Sequence, residues 1–276
     1  MTSGTTEPAD ARVAIVTLAS TPRLEHLQNQ LAGIRQLGTA SVAVVWLGDD
    51  EPPELDADEV LRVEPGRSGL RLAAARNAGA DAAAASGAEL IVFLDADCVP
   101  GPDLVDLYIT AAAGYPGAVL CGPVTYLDPG VDVSDRDTLI ASTNPHTARP
   151  FPPAGQSLPA AGEEYSLFWS LSFAMTAGAW AASPRFDERY EGYGGEDTDF
   201  GFALRAADVP LVWVGGAHAY HQHHPTSSPP WQHLDDILKN GRRFAERWGQ
   251  WPMTGWLSAF EEAGAVRWDG TTWLRT

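Results

Sequence analysis

Two short acidic clusters and one histidine group are the residues of this chain best suited to chemistry. Asp95 and Asp97 follow the apolar run Leu90-Ile91-Val92-Phe93-Leu94 at spacing i, i+2. Carboxylates that a strand delivers to its own C-terminal edge are hard oxygen ligands for a divalent cation. Glu196 and Asp197 follow Tyr193-Gly194-Gly195. Those glycines allow backbone to approach a ligand closely, and one of the two carboxylates could remove a proton. His218, His221, His223 and His224 follow a later apolar run, and imidazole is able to complete a metal shell. Cation, base and strand edge together point to a substrate that carries a diphosphate. Each motif also has a plainer reading. Acids favour the first turn of a helix, so either acidic cluster could simply open one, and a run of histidines can be a solvated loop.

The elements that must position these residues can be read from hydrophobic patterning. Val13 to Leu18 and Ser41 to Leu47 are β-branched, continuous runs, as expected of strands buried on both faces of a parallel sheet. Between them Leu24, Leu27, Leu31 and Ile34 share one helical face, and Gly38 ends the helix. A short strand is predicted at Glu59 to Val63, an alanine-rich helix over Gly69 to Gly87, and a strand at Leu90 to Leu94. This strand–helix alternation predicts a mostly parallel α/β sheet with helices on both sides. Ligands of such sheets collect at the carboxyl ends of the strands, where Asp49, Asp95 and Asp97 all fall.

The second half is less regular. A helix is predicted over Asp103 to Ala113, strands at Ala118 to Val124, Ser170 to Met175 and Leu211 to Val214, and helices at Ala177 to Ala182 and Glu196 to Ala207. Asp128 to Glu164 is rich in proline and glycine without periodicity, which predicts a mobile loop able to close over a bound substrate. From Trp231 a helix leads into a tail that holds five of the ten tryptophans. The expected organisation is a disordered leader over residues 1–10, one large domain over 11–225, and a helical, tryptophan-rich C-terminal extension over 226–276.

Composition narrows the classes of function. A hydrophobic fraction of 45% is that of a globular protein. A net charge of −18, from 36 acidic and 18 basic residues, argues against nucleic acid and against an anionic membrane surface as partners. No apolar run approaches a membrane span. Two cysteines give no disulfide framework and fit a reducing, cytoplasmic location.

With the motifs in place, a family resemblance becomes visible. Asp95-Ala96-Asp97 after a buried strand resembles the metal-binding triplet of GT-A-fold glycosyltransferases. Ala75-Arg76-Asn77-Ala78-Gly79 is similar to the Ala-Arg-Asn-x-Gly helix of the family-two inverting enzymes. Tyr193-Gly194-Gly195-Glu196-Asp197 resembles the Gly-Gly-Glu-Asp segment of β-1,4-galactosyltransferases and chondroitin polymerases, with Tyr193 where those have tryptophan. Ala219-Tyr220-His221-Gln222 is similar to the chondroitin-polymerase segment whose histidine binds metal. The stretch Phe168-Trp169-Ser170-Leu171-Ser172 lacks the Gly-Gly-Asn of those relatives, so no donor contact carries over there.

The resemblance implies a GT-A fold and an inverting transfer from a nucleotide-diphosphate sugar, a UDP-sugar first among them, to a saccharide or other hydroxyl acceptor. It places the donor on Thr17, Ala19, Arg23, Asp49, Arg76, Asp95, Ala96 and Asp97. Asp97 and His221, with Asp95 directly or through water, would hold Mn²⁺ or Mg²⁺. Asp197 would be the base, and Glu196 would hydrogen-bond the acceptor or donor sugar. Two other classes stay open at this point. A nucleotidyltransferase also uses strand-end aspartates and Mg²⁺, but Thr17 to Arg23 lacks the lysine-bearing phosphate loop expected of one. A non-catalytic sugar-binding module would bind saccharide without turning over a sugar nucleotide.

Overall fold

A computed structural model describes residues 11–38 and 40–276; the expected leader lies outside the described residues. The described residues form thirteen strands and eight α-helices. The strands are β1 (Val13–Ala19), β2 (Ala40–Leu47), β3 (Glu59–Val63), β4 (Leu90–Leu94), β5 (Cys98–Pro100), β6 (Val119–Cys121), β7 (Val124–Tyr126), β8 (Ser157–Pro159), β9 (Ser172–Thr176), β10 (Leu211–Val214), β11 (Ala219–His221), β12 (Val266–Trp268) and β13 (Trp273–Arg275). The helices are α1 (Leu24–Leu37), α2 (Leu72–Ala85), α3 (Leu104–Gly114), α4 (Arg136–Ala141), α5 (Ala177–Ala182), α6 (Glu196–Ala206), α7 (Leu234–Trp248) and α8 (Thr254–Glu262).

The main sheet runs β3-β2-β1-β4-β9-β6-β10-β8. Its first four strands are parallel, as are β6 and β10; β9 and β8 run against their neighbours. Alternate residues feed opposite cores. Val13, Ile15, Val42, Val44, Leu90 and Val92 pack with α1 and α3. Ala14, Val16, Ala43, Val45, Ile91 and Phe93 pack with α2, α5 and α6. Burial on both faces is why these strands read as unbroken apolar runs. Gly79 lets α2 lie tightly on the sheet, because a Cβ there would come within 2.5 Å of Val16 and 2.8 Å of Val45.

Three expectations need correction. The single strand expected over Ala118 to Val124 is two. It breaks at Gly122-Pro123, where proline has no N–H to give a ladder, and β7 leaves the main sheet for a small one, β5-β11-β7. The segment from Asp128 to Glu164 is not structureless: it holds α4, and β8 forms the edge of the main sheet by antiparallel pairing with β10. The C-terminal extension is not purely helical, since it ends in the hairpin β12–β13. The Asp269-Gly270 turn between those strands, with Gly270 at φ +101, is a hairpin signal present in the sequence.

Candidate active site

The small sheet brings the first set of groups together. In β11, His221 sits opposite Cys98 of β5 and Tyr126 of β7. That register places His221 beside Asp97, with Nε2 3.6 Å from Oδ2. The next residue, Gln222, points the other way and anchors the strand on α1: its amide donates to His26 O at 2.9 Å and accepts from Asn29 Nδ2 at 2.9 Å. The chain then returns His224 to the same carboxylate, with Nε2 3.4 Å from Asp97 Oδ2. Ligand atoms of Asp97, His221 and His224 all lie within 4.8 Å of one another.

The chemistry of this triad fits a divalent cation. Burial pushes the Asp97 pKa up, but His224, His221 and Arg23 outweigh it and hold the carboxyl below its ordinary value. Burial lowers the pKa of His221, which keeps the ring neutral and able to ligate. Cys98 lies near Asp97, yet burial and the neighbouring aspartates raise its thiol well above the usual range, so it offers no thiolate. Arg23 reaches the same carboxylate, Nε to Oδ2 at 3.5 Å, from a partly exposed position.

The histidines separate by role. His218 is buried against Thr125, whose Oγ1 is 2.7 Å from Nε2 and also accepts Asn144 N–H. Burial drives its pKa down to about 4, so it is a neutral core residue. His223 is exposed. His224, which periodicity could not single out, joins the triad because the polypeptide curls back after the anchored Gln222.

A second set gathers round Arg76. Its guanidinium is buried, with Nη1 3.1 Å from Glu196 and Nη2 3.2 Å from Asp95. Asp95 is thus turned toward α2 and away from the Asp97–His221–His224 group. One aspartate of the triplet pairs with an arginine and the other with imidazoles. Burial, against the pull of Arg76, raises the Asp95 pKa to about 6. Asp197, beside Glu196 at the start of α6, accepts Thr198 N–H at 2.7 Å. Burial and the charge of Glu196 raise its pKa to about 7. A carboxylate with a pKa near the working pH is well matched to proton removal.

Other residues read from the sequence sit less directly. Thr17 and Ala19 are buried in β1, and the Thr17 hydroxyl has no partner among the described residues. Ala96 packs in the core between the two aspartates. Asp49 is exposed beyond β2. Both arms of Arg76 are taken by carboxylates, so in this structure it holds Asp95 and Glu196 together.

Two structural supports were not legible beforehand. Gly194 and Gly195 have φ of +86 and +90, a conformation that side chains disfavour. The turn they make is held by Asn240 of α7, whose buried amide nitrogen lies 3.1, 3.2 and 2.9 Å from the carbonyls of Glu191, Tyr193 and Gly194. Asp199 then ties α6 to α7, accepting from Arg247 at 2.6 Å and from Trp248 Nε1 at 2.7 Å. The tail therefore braces the acidic segment, and Tyr193 stacks on His233 with centroids 4.2 Å apart.

Comparisons with known proteins agree with this geometry at the level of fold. The family model described as Glycosyl transferase family 2 matches residues 53–168. Validoxylamine A glucosyltransferase of Streptomyces hygroscopicus subsp. jinggangensis (strain 5008) is 29% identical over 160 residues, 52% of this chain and 37% of that protein. The protein of the same name from subsp. limoneus is 29% identical over 160 residues, covering 35% of its length. The aligned segment thus spans little more than a third of these relatives. Among solved structures, S. aureus TarS superposes with a TM-score of 0.58 at 11% identity, covering 91% of this chain and 42% of that one. GalNAc-T7 with UDP, GalNAc and Mn²⁺ gives 0.58 at 14% identity, covering 86% of this chain and 48% of that one. A large, mostly parallel sheet flanked by helices, with this strand order and these structural neighbours, is a GT-A fold.

Proposed function

We propose that this protein is a metal-dependent, inverting glycosyltransferase that moves a sugar from a nucleotide-diphosphate sugar, most simply a UDP-sugar, to a hydroxyl acceptor. The observation that carries the reading is the split of the Asp95-Ala96-Asp97 triplet. Asp97 joins two imidazoles in a cation-binding group, while Asp95 shares Arg76 with the Glu196–Asp197 pair. A cation site and a carboxylate of raised pKa are thus tied through one short strand end. The relatives' names and the UDP and Mn²⁺ of GalNAc-T7 support the choice of donor and metal.

Asp97, His221 and His224 would hold the cation, which when bound offsets charge on a leaving diphosphate. Two imidazoles among three protein ligands favour Mn²⁺ over Mg²⁺, which prefers oxygen. Arg23 supplies a mobile positive charge at the same edge. Asp197 accepts the proton of the acceptor hydroxyl, and its raised pKa lets it hold that proton. Arg76 orients Glu196 and offsets the mutual repulsion of Asp95, Glu196 and Asp197. The hydroxyl so activated attacks the anomeric carbon from the face opposite the diphosphate, which inverts it. The aromatic surface of Tyr193, His233 and Trp256 flanks the base and would receive a sugar acceptor.

Among the described residues no helix is long and apolar enough to cross a membrane. Cys98 and Cys121 are free and buried, which supports a cytoplasmic location. The deciding experiment incubates the protein with Mn²⁺ and a panel of UDP-, GDP- and dTDP-sugars and follows release of nucleoside diphosphate with added saccharides. Pyrophosphate release from a nucleoside triphosphate and a sugar phosphate would mark a nucleotidyltransferase instead. Saccharide binding with no turnover of any donor would mark a binding module.

A further inference from the structure

Among the described residues, Arg149 is the one buried cation whose partners the site above does not supply. It lies in the arch between the Thr125–Pro145 bridge and β8 and is 5% exposed. All three of its guanidinium nitrogens are buried with no nitrogen or oxygen partner among the described residues, and the Cys121 thiol within their reach is an uncharged, weak acceptor. Its carbon centre sits between two indoles, 5.4 Å from the Trp169 ring and 5.1 Å from the Trp213 ring. Stacking of this kind offsets part of the cost of removing a guanidinium from water. It does not satisfy a planar fork of five N–H donors, and a buried charge without a counter-ion is strongly disfavoured.

The titratable neighbours do not supply that counter-ion. Burial raises the Cys121 thiol to about 12, so it is uncharged at neutral pH. Burial likewise raises Tyr108 above the ordinary phenol range. The location is also informative. Tyr126 stacks beside His221 with centroids 4.5 Å apart, His146 packs on Tyr126 at 5.6 Å, and Trp169 packs on His146 at 5.1 Å. A continuous aromatic wall thus runs from the Asp97–His221–His224 group to the indole that covers Arg149. The residues just before Arg149, from His146 to Ala148, are exposed, so the guanidinium lies close beneath the surface of the arch.

We propose that Arg149 is a substrate-binding residue that pairs with an oxyanion, either a phosphate of the donor or a carboxylate on one of the two substrates. The placement of donor and acceptor rests on the transferase reading above, whereas the unpaired charge does not. The planar fork matches the two oxygens of a phosphate or carboxylate in a bidentate pair. Binding would draw the arch and Trp169 toward the ligand and give the charge the partner it lacks.

The test uses the full chain, Arg149→Met, which keeps an apolar stem between the indoles, and Arg149→Lys, which keeps charge without the fork. Melting temperature is followed in metal-free buffer with inorganic pyrophosphate, sodium glucuronate or sodium chloride at matched ionic strength. Affinities for UDP, UDP-glucose and UDP-glucuronate with Mn²⁺ are measured by calorimetry, with uridine as control. The expected result is stabilisation of the native protein by pyrophosphate or glucuronate that Arg149→Met abolishes and Arg149→Lys recovers only in part. Arg149→Met should melt no lower than the native protein without anion and lose at least about tenfold in affinity for the anionic ligand, with uridine unaffected.

Loss for all three nucleotides assigns the donor diphosphate, and loss for UDP-glucuronate alone assigns a carboxylate on the transferred sugar. A glucuronate response without any nucleotide effect assigns the acceptor. Equal anion responses and nucleotide affinities in Arg149→Met and the native protein overturn the proposal, and a lower melting point with them makes Arg149 a packing residue for the two indoles. If the native protein binds no nucleotide but its anion response depends on Arg149, the transferase reading falls and the anion site stands.

Discussion

Replacing Arg76 by methionine removes the cation that Asp95 and Glu196 share and leaves most of the side-chain volume in place. Both partners lie close, at 3.2 and 3.1 Å, and the Arg76 side chain is 5% exposed. The cost has a natural ceiling, because a carboxylate that loses its cation can escape by taking up a proton. With Asp95 at about 6 in the native protein, holding it protonated at pH 7.5 costs about 2 kcal/mol, from 1.5 pH units at 1.36 kcal/mol each. Near pH 6 the same contribution falls to a few tenths of a kcal/mol, about RT ln 2. The sign follows from linkage. Asp95 titrates above its unfolded value of 3.8, so the native fold loses stability as pH rises from about 3.8 to about 6, and without Arg76 that loss continues above 6. Urea unfolding of both proteins at pH 5.5, 6.5, 7.5 and 8.5 should give a stability difference that widens by about 2 kcal/mol or more across the series. A difference independent of pH would refute the view that Arg76 acts by carrying the charge of these carboxylates. A difference near zero throughout would refute the ion pairs themselves.

Three further outcomes follow from the same geometry. Asp197→Asn should lower kcat by ~10²–10⁴ and leave donor affinity within a few fold, and the native kcat/KM should fall as pH drops below about 7, where Asp197 becomes protonated. A larger kcat loss in Glu196→Gln would move the base one residue back. Alanine at Asp97, His221 or His224 should each abolish Mn²⁺-dependent UDP binding in calorimetry, whereas His223→Ala, at an exposed position, should not. Asn240→Ala should cost about 1–3 kcal/mol in urea unfolding, because it strips the clasp from three partly buried carbonyls and leaves a hole beside the glycine turn, and should lower kcat more than it changes donor affinity.

The central sheet was legible because its strands are buried on both faces, and double burial writes an unbroken apolar run into the sequence. β3, β4 and β10 match their expected residue ranges, and α1 ends at Gly38 in the left-handed conformation its glycine permits. The acidic clusters were legible for a related reason: each follows a well-marked element or a glycine turn that fixes where its carboxylates emerge. What failed to show was anything decided by short or non-local pairing. Strands of three residues, such as β7, β8 and β11, carry too few side chains for a period, and their partners lie many residues away. Asn240 and Asp199 owe their roles to contacts between α6, α7 and the loop before α6, and no spacing within either helix reveals them.

The same distinction explains the fate of the Asp95-Ala96-Asp97 triplet. Alternation along an extended chain predicts that i and i+2 share a face, which would give both carboxylates to one cation. Here the chain leaves β4 after Leu94, and Cys98 N donates to Asp95 O at 2.8 Å, closing a turn between the two acids. That turn rotates Asp97 toward β11 while Asp95 remains over α2 beside Arg76. Gln30 fixes it from α1, its amide donating to Asp95 O at 2.6 Å and to Cys98 O at 2.8 Å. A buried glutamine on α1, 65 residues before Asp95, thus helps decide which aspartate meets imidazole and which meets guanidinium. Divided in this way, the two carboxylates hold unlike cations at one strand end, and the histidine triad and the Glu196–Asp197 pair are coupled through three residues of backbone.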